Sequence, residues 1–160
     1  WWFLIGIFVQ NAAAAHYQRL RMRRVLKGQS IADFMSRETV SVSPDITITD
    51  LVENYIYQTH HKLYPVVDGS HLLGCVNTGD VKAVSRDQWE RTRVGDIMKA
   101  CSPENTIDAD ADAMRALDRI QSTQNGRLIV TRNGALAGIV TLKDLLELLT
   151  LKLELEDPDS

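Results

Sequence analysis

The sequence predicts an α+β fold in which two β-α-β-β-α repeats pack about a pseudo-twofold axis, preceded by an N-terminal helical connector. The main observation is an internal repeat. "LLGCVNTGD" (72–80) returns as "LAGIVTLKD" (136–144), and "IADFM" (31–35) returns as "VGDIM" (94–98). The chain has 160 residues, 44% hydrophobic and 24% charged, which is typical of a globular protein. Because a unit of about 55 residues buries too little surface alone, the two copies are expected to pack together.

Each repeat is predicted to open with a short strand and an amphipathic helix. The strand is "TVSV" (39–42) in the first copy and the region around Ile107 in the second. The helix covers residues 49–61 in the first copy and 110–123 in the second, because apolar residues recur there at helical spacing.

A hairpin and a second helix complete each repeat. The predicted hairpin strands are residues 63–67 with 71–76, and residues 127–131 with 135–140. Asp68-Gly69 and Asn133-Gly134 lie between them, and such pairs favour tight turns because both residues tolerate positive φ. The closing helices begin just after Asn77 and just after Thr141, and Pro158 ends the last one.

The predicted organisation is a connector (1–29), a first repeat (30–84), a linker (85–93) and a second repeat (94–157). The connector begins with nine apolar residues, fewer than the roughly 20 that span a bilayer. Residues 19–27 then carry five basic residues, whereas a signal peptide has its charges before the apolar run. Two interpretations stay open: the end of a membrane helix with a positive cytoplasmic flank, or an amphipathic helix that packs on this protein or a partner.

Several classes of function are not predicted. The formal net charge is −3 and the basic stretch lacks interleaved aromatic residues, so anionic lipid explains it better than nucleic acid. The chain has no nucleophile motif and no phosphate loop of the GxxxxGK[ST] type, so it is not expected to be an enzyme. His60-His61 point about 100° apart on a helix, and no acid or cysteine completes a metal set. Cys75 and Cys101 are expected to be reduced thiols.

The repeated motifs resemble a tandem pair of CBS domains (the cystathionine β-synthase motif), also called a Bateman module. The resemblance covers roughly residues 30–150 and rests on "DFM" and "DIM", on "YPVVD", and on the repeated Gly-to-Asp phrase that ends each copy. The N-terminal stretch followed by such a pair is similar to the end of a site-2-protease-type membrane zinc metalloprotease. That family's HExxH motif does not occur in this sequence, so the resemblance implies its regulatory part without the catalytic part.

Thr141 and Asp144 allow two interpretations. Thr at a helix N-cap with an acid three residues later forms a capping box, which stabilises by about 1 kcal/mol and needs no ligand. A helix N-terminus also attracts anions. In CBS families this Thr-or-Ser, x, x, Asp pattern holds AMP, ATP or S-adenosyl compounds. The resemblance therefore implies that Thr141 contacts phosphate and Asp144 binds ribose.

Other candidate residues lie around the same two junctions. Arg127 enters the neighbouring strand and is a candidate phosphate partner. Ile129 and Val130 are expected to help form the apolar wall under the base. Asn77 and Asp80 are the corresponding pair of the first repeat. Since Asn replaces Thr or Ser there and a glycine weakens the helix start, we expect the second repeat to be the preferred site.

The leading hypothesis is a regulatory module that binds an adenosine-type ligand in the cleft between the repeats. It would modulate an attached membrane metalloprotease from the cytoplasmic side of the membrane. The alternative is a ligand-free assembly module of a CBS-containing protease, channel or transporter. The resemblance implies a homodimer in either case. Calorimetric titration with adenosine ligands separates the two hypotheses.

Overall fold

Two three-stranded sheets, one for each repeat, form the framework of this computed structural model, which describes residues 28–123 and 126–156. The predicted connector up to residue 27 and the helix end at Pro158 lie outside the described residues. The strands are β1 (Leu63–Asp68), β2 (His71–Asn77), β3 (Lys99–Ala100), β4 (Thr106–Asp108), β5 (Arg127–Arg132) and β6 (Ala135–Thr141). The helices are α1 (48–59), α2 (Thr78–Lys82), α3 (Val94–Ile97), α4 (Ala113–Thr123) and α5 (Leu142–Glu156).

The first helix of each repeat begins at a polar cap. Oγ1 of Thr47 accepts from the amide of Asp50 (3.2 Å) at the start of α1, and Oδ1 of Asp112 accepts from Met114 (2.8 Å) at the start of α4. The middle of α1, Leu51–Ile56, is π-helical rather than regular. The helix then ends at His60, whose φ of 61° is left-handed. The predicted helices are therefore present, and His60 terminates α1.

Both predicted hairpins form, with antiparallel strands and a bulge at corresponding positions. Asn133 and Gly134 have positive φ values of 53° and 79°, as a two-residue turn of this type requires. In the first repeat Asp68 still pairs with His71, so the turn residues are Gly69 and Ser70. That turn thus lies one residue later than predicted.

The opening strand differs between the repeats. In the second repeat β4 pairs with β5 in parallel, with Ile107 opposite Val130. In the first, the predicted strand 39–42 is reduced to a single bridge between Val42 and Val66. A parallel ladder uses alternate residues, and the next one, Pro44, has no N–H to donate. The ladder therefore ends at Val42.

Each repeat has its own hydrophobic core between its sheet and its helices. The first core contains the fully buried Tyr64, and the second contains Leu128 and Leu145. The predicted linker is packed rather than extended, because Trp89 lies against the first core and its Nε1 donates to the carbonyl of Val84 (3.1 Å).

The segment that leads into each repeat packs on the other repeat. We call residues 28–36 and 93–100 the leading segments. Ile31 and Phe34 are buried in the second core, and the amide of Ile31 donates to the carbonyl of Ala111 (3.0 Å). In return, Val94 is buried in the first core and its amide donates to Ile46 (2.9 Å). This reciprocal exchange is the contact that a pseudo-twofold arrangement of the repeats requires.

The glycines of the repeated phrase lie where the leading segments cross the sheets. β3 pairs with β2 beside Gly74, and Ser36 bridges to Ile139 beside Gly138. A Cβ atom on Gly74 would overlap the carbonyl oxygen of Lys99, and one on Gly138 would lie 2.5 Å from that of Ser36. The shared glycine therefore permits the close approach of the two repeats.

Candidate ligand-binding site

Both strand-to-helix junctions carry a complete capping box. At the first, the amide of Asp80 donates to Oδ1 of Asn77 (2.8 Å), and the amide of Asn77 donates to Oδ2 of Asp80 (2.9 Å). At the second, the amide of Asp144 donates to Oγ1 of Thr141, and the amide of Thr141 donates to Oδ2 of Asp144, both at 3.0 Å. The capping interpretation therefore describes both junctions, and it uses one carboxylate oxygen of each aspartate.

A cleft of about 470 Å³ opens beside the first junction and is lined by both repeats. The first repeat contributes Asn77, at the end of β2, and Lys62, just before β1. The second contributes Arg127, the first residue of β5, and Lys99 from its leading segment. The remaining lining residues are Leu63, Cys75, Thr78, Ala100, Ser102, Glu104, Asn105 and Gly126.

Positive charge dominates this cleft. Lys62, Lys99 and Arg127 line it, against Glu104 as the one acid among its lining residues. Guanidinium and ammonium groups form short, charge-assisted hydrogen bonds with phosphate oxygens. The cleft is thus suited to a ligand that carries an anionic group.

The cleft also contains a thiol that stays protonated. Burial, and after it the nearby Asp80 carboxylate, raise the pKa of Cys75 from the ordinary value of 9.0 to about 11. A thiol of this kind is a poor nucleophile at neutral pH because the thiolate is the reactive form. Cys75 therefore offers a neutral, weakly polar wall.

Asn105 shapes the rim of the cleft. It is only 9% exposed, its Oδ1 accepts from the amide of Ser102 (2.8 Å), and its Nδ2 donates to the carbonyl of Ala100 (3.0 Å). These bonds hold the turn that follows β3. Sequence reasoning missed Asn105, because only the fold shows that this turn faces the first repeat.

The structure brings together some of the predicted site residues. Asn77 and Arg127 line one cleft, although they belong to different repeats. Thr141 lies opposite Arg127 in the β5–β6 ladder but is not a lining residue of the cleft. Ile129 and Val130 are fully buried. Sequence reasoning also missed Lys62 and Lys99.

The described part of the chain carries neither a clustered set of metal ligands nor a membrane-spanning helix. Residues 28–123 and 126–156 contain no group of three or more His, Cys, Asp or Glu side chains placed to hold a metal. Across the same ranges, every helix is too short or too polar to cross a bilayer.

A sequence comparison finds a relative that is named as an enzyme. The chain is 27% identical over 162 residues to zinc metalloprotease MJ0392 of Methanocaldococcus jannaschii, a match that covers 96% of this chain and 43% of the relative. The chain thus spans about two fifths of the length of this curated relative.

Comparisons with solved structures and with family models agree on the fold. The CBS domain of a bacterial CNNM/CorC family Mg²⁺ transporter in complex with ATP matches with a TM-score of 0.69 and 20% identity, over 83% of this chain and 97% of that one. CBSX2 in complex with AMP matches with a TM-score of 0.67 and 22% identity, over 78% and 98%. The family model of the CBS domain matches residues 31–87 and 94–151. The chain therefore belongs to the CBS domain family and contains two copies of the domain in tandem.

Proposed function

We propose that this CBS pair is a regulatory module that binds an adenosine-type ligand, AMP or ATP, between its two repeats. One observation carries the proposal: a cleft of about 470 Å³ is lined by both repeats and by three cationic side chains. A ligand held there contacts both repeats, so it can favour one arrangement of the pair over another. The ATP and AMP complexes of the structural neighbours support the choice of ligand class.

We infer that the first junction is the preferred site. The sequence-based preference for the second junction rested on the hydroxyl of Thr141. The structure weakens this argument, because Asn77 and Thr141 hold equivalent capping boxes. The open cleft, with Lys62 and Arg127 in its lining, lies beside Asn77. Thr141 and Asp144 remain the second candidate site.

In the proposed complex the phosphate group lies near Lys62 and Arg127, and Asp80 accepts from the ribose hydroxyls. Oδ2 of Asp80 is used by the capping box, which leaves Oδ1 for the ligand. Ile129 and Val130 belong to β5 and are fully buried. We therefore assign them to the packing that holds this strand in place rather than to direct contact with the base.

Calorimetric titration of the chain with AMP, ATP and S-adenosylmethionine tests the proposal. Asp80→Ala and Asp144→Ala are a matched pair, since each removes one capping-box carboxylate, worth about 1 kcal/mol. We expect Asp80→Ala and Arg127→Met to abolish or strongly weaken binding, and Asp144→Ala to retain most of it. If Asp144→Ala alone abolishes binding, the ligand occupies the second junction. If folded wild-type protein gives no heat with any of the three ligands, the nucleotide proposal is wrong.

The similarity to MJ0392 supports a finer proposal about the output of the module. We propose that ligand state is passed through residues 1–29 to an attached membrane metalloprotease, with the CBS pair on the cytoplasmic side. The test is proteolysis by the longer protein, reconstituted in vesicles, with and without AMP. A nucleotide effect that Arg127→Met removes supports the link. Equal rates of proteolysis with and without AMP, in the wild type and in Arg127→Met, would exclude the link.

Exposed leucines favour an assembly module as the second candidate function. On α5, Leu146, Leu151 and Leu155 are 41%, 51% and 85% exposed. Apolar surface of this kind can be covered by a second copy of the chain, as the resemblance to CBS pairs implies. Light scattering separates the candidates: a dimer that Leu151→Glu dissociates, together with no nucleotide binding, would favour assembly over ligand sensing.

A further inference from the structure

The carboxylate proposed to bind ribose already has a cationic partner. Nζ of Lys99 lies 3.5 Å from Oδ1 of Asp80, the oxygen that the capping box leaves free. The lysine side chain is 64% exposed, whereas that of Asp80 is 13% exposed. Lys99 lines the cleft and Asp80 does not. A ligand that reaches Asp80 must therefore move the lysine first.

The second junction lacks this lysine. Lys99 lies opposite Cys75, the residue after Gly74, in the β2–β3 pair. The corresponding position, opposite Ile139, is held by Ser36. A hydroxyl thus replaces an ammonium group, and within the described residues no ion pair reaches Asp144. The two junctions share a capping box but differ in the charge beside it.

We propose that Lys99 is a specificity-determining residue that makes the first site select ligands carrying a phosphate group. Before a ligand binds, the ammonium group pairs with Asp80. Ribose hydroxyls that bind Asp80 displace the ammonium, which then pairs with the phosphate of the same ligand. A nucleoside without phosphate displaces the same lysine and offers it no anion, so it binds more weakly. This inference rests on the proposed nucleotide binding.

The contacts make such an exchange feasible. An ion pair with an exposed lysine contributes little to stability, so breaking it costs little. The lysine side chain is long and mostly exposed, and its backbone is fixed in β3, so the ammonium group can move without disturbing the strand. A phosphate gives the displaced ammonium group a charge-assisted hydrogen bond in place of the pair that is lost, whereas a nucleoside gives it none. Exchange therefore favours nucleotides over nucleosides.

The test compares AMP with adenosine by calorimetry on three proteins: wild type, Lys99→Met and Lys62→Met. Wild type is expected to bind AMP about tenfold or more tightly than adenosine. One hydrogen bond to a charged group changes affinity by about this factor. Lys99→Met should weaken AMP binding and strengthen adenosine binding, because Asp80 is no longer occupied. Lys62→Met is the matched control: it also removes a cleft cation, but it should weaken AMP without strengthening adenosine.

The outcomes separate this inference from the proposed function. If AMP binds wild type and Lys99→Met leaves the ratio of AMP to adenosine affinity unchanged, the role of Lys99 is wrong while nucleotide binding stands. The same conclusion follows if Lys99→Met weakens both ligands equally. If neither ligand binds folded wild-type protein, the proposed function falls, and this inference falls with it.

Discussion

Replacing Gly138 with alanine tests whether the leading segment of the first repeat is held against the sheet of the second. The new Cβ atom would lie 2.5 Å from the carbonyl oxygen of Ser36 and 3.0 Å from Sδ of Met35. The backbone oxygen cannot rotate away as a flexible side chain can. The leading segment must therefore shift away from β6.

The expected cost follows from the contacts that such a shift breaks. The amide of Ser36 donates to Ile139 (2.8 Å) and the amide of Ile139 donates to Ser36 (3.0 Å). Each backbone bond contributes about 1 kcal/mol net, and overpacking adds about 1–3 kcal/mol. The free energy of unfolding should thus fall by about 3 kcal/mol, with some loss relieved by local adjustment.

Urea denaturation followed by circular dichroism measures this change. Gly126→Ala is the matched control, since a Cβ atom at Gly126 meets nothing within 4 Å and this glycine has no positive φ. It should change stability little or raise it by about 0.4–1 kcal/mol. Hydrogen exchange should show faster exchange of the Ile139 amide in Gly138→Ala only. Equal stability of the two variants would refute the close approach of Ser36 to β6.

Three further results are expected. Tyr64→Phe should lower the free energy of unfolding by about 1–2 kcal/mol in urea melts, because it removes the hydrogen bonds that the buried hydroxyl makes with Oγ1 of Thr59 (2.8 Å) and with the carbonyl of His61 (3.2 Å). Gly134→Ala should cost about 1–2 kcal/mol in the same assay, since its φ of 79° is left-handed, whereas an unchanged melt would contradict that turn. Above pH 9 the unfolded chain loses the Cys75 proton, whereas the folded chain keeps it to about pH 11. Because the unfolded state then binds fewer protons than the folded state, the free energy of unfolding falls as pH rises from about 9 to about 11. Cys75→Ala should remove this part of the decline, and an identical pH profile in both proteins would show that the thiol is not held protonated.

Much of the fold is predictable because the same pattern of residues occurs in both repeats. The shared phrase around Gly74 and Gly138 fixed the order of strand, junction and helix, and both junctions lie where predicted. The reciprocal exchange of leading segments was not predictable. Ile31 and Val94 are apolar residues at equivalent positions, so the pattern alone does not indicate which core each one enters.

The candidate site was predicted only in part, for a related reason. Asn77 and Arg127 could be identified from the chemistry of strand ends. Lys62 and Lys99 are distant from each other in sequence and meet only because β3 pairs with β2. The predicted preference for Thr141 compared cap residues alone, whereas the charge in the cleft comes from residues outside the repeated phrase.

The exchanged leading segments also decide how tension on the chain would travel. The described chain begins at Gly28, whose amide donates to Oδ2 of Asp112 (3.1 Å), 84 residues away in sequence. Force applied at this end therefore reaches the second core before the first. By the same geometry, a cut between the repeats would yield two fragments that each lack a piece of their own core. A segment that carries all the pieces of one core therefore begins after one leading segment and ends with the next, as residues 37–100 do for the first core.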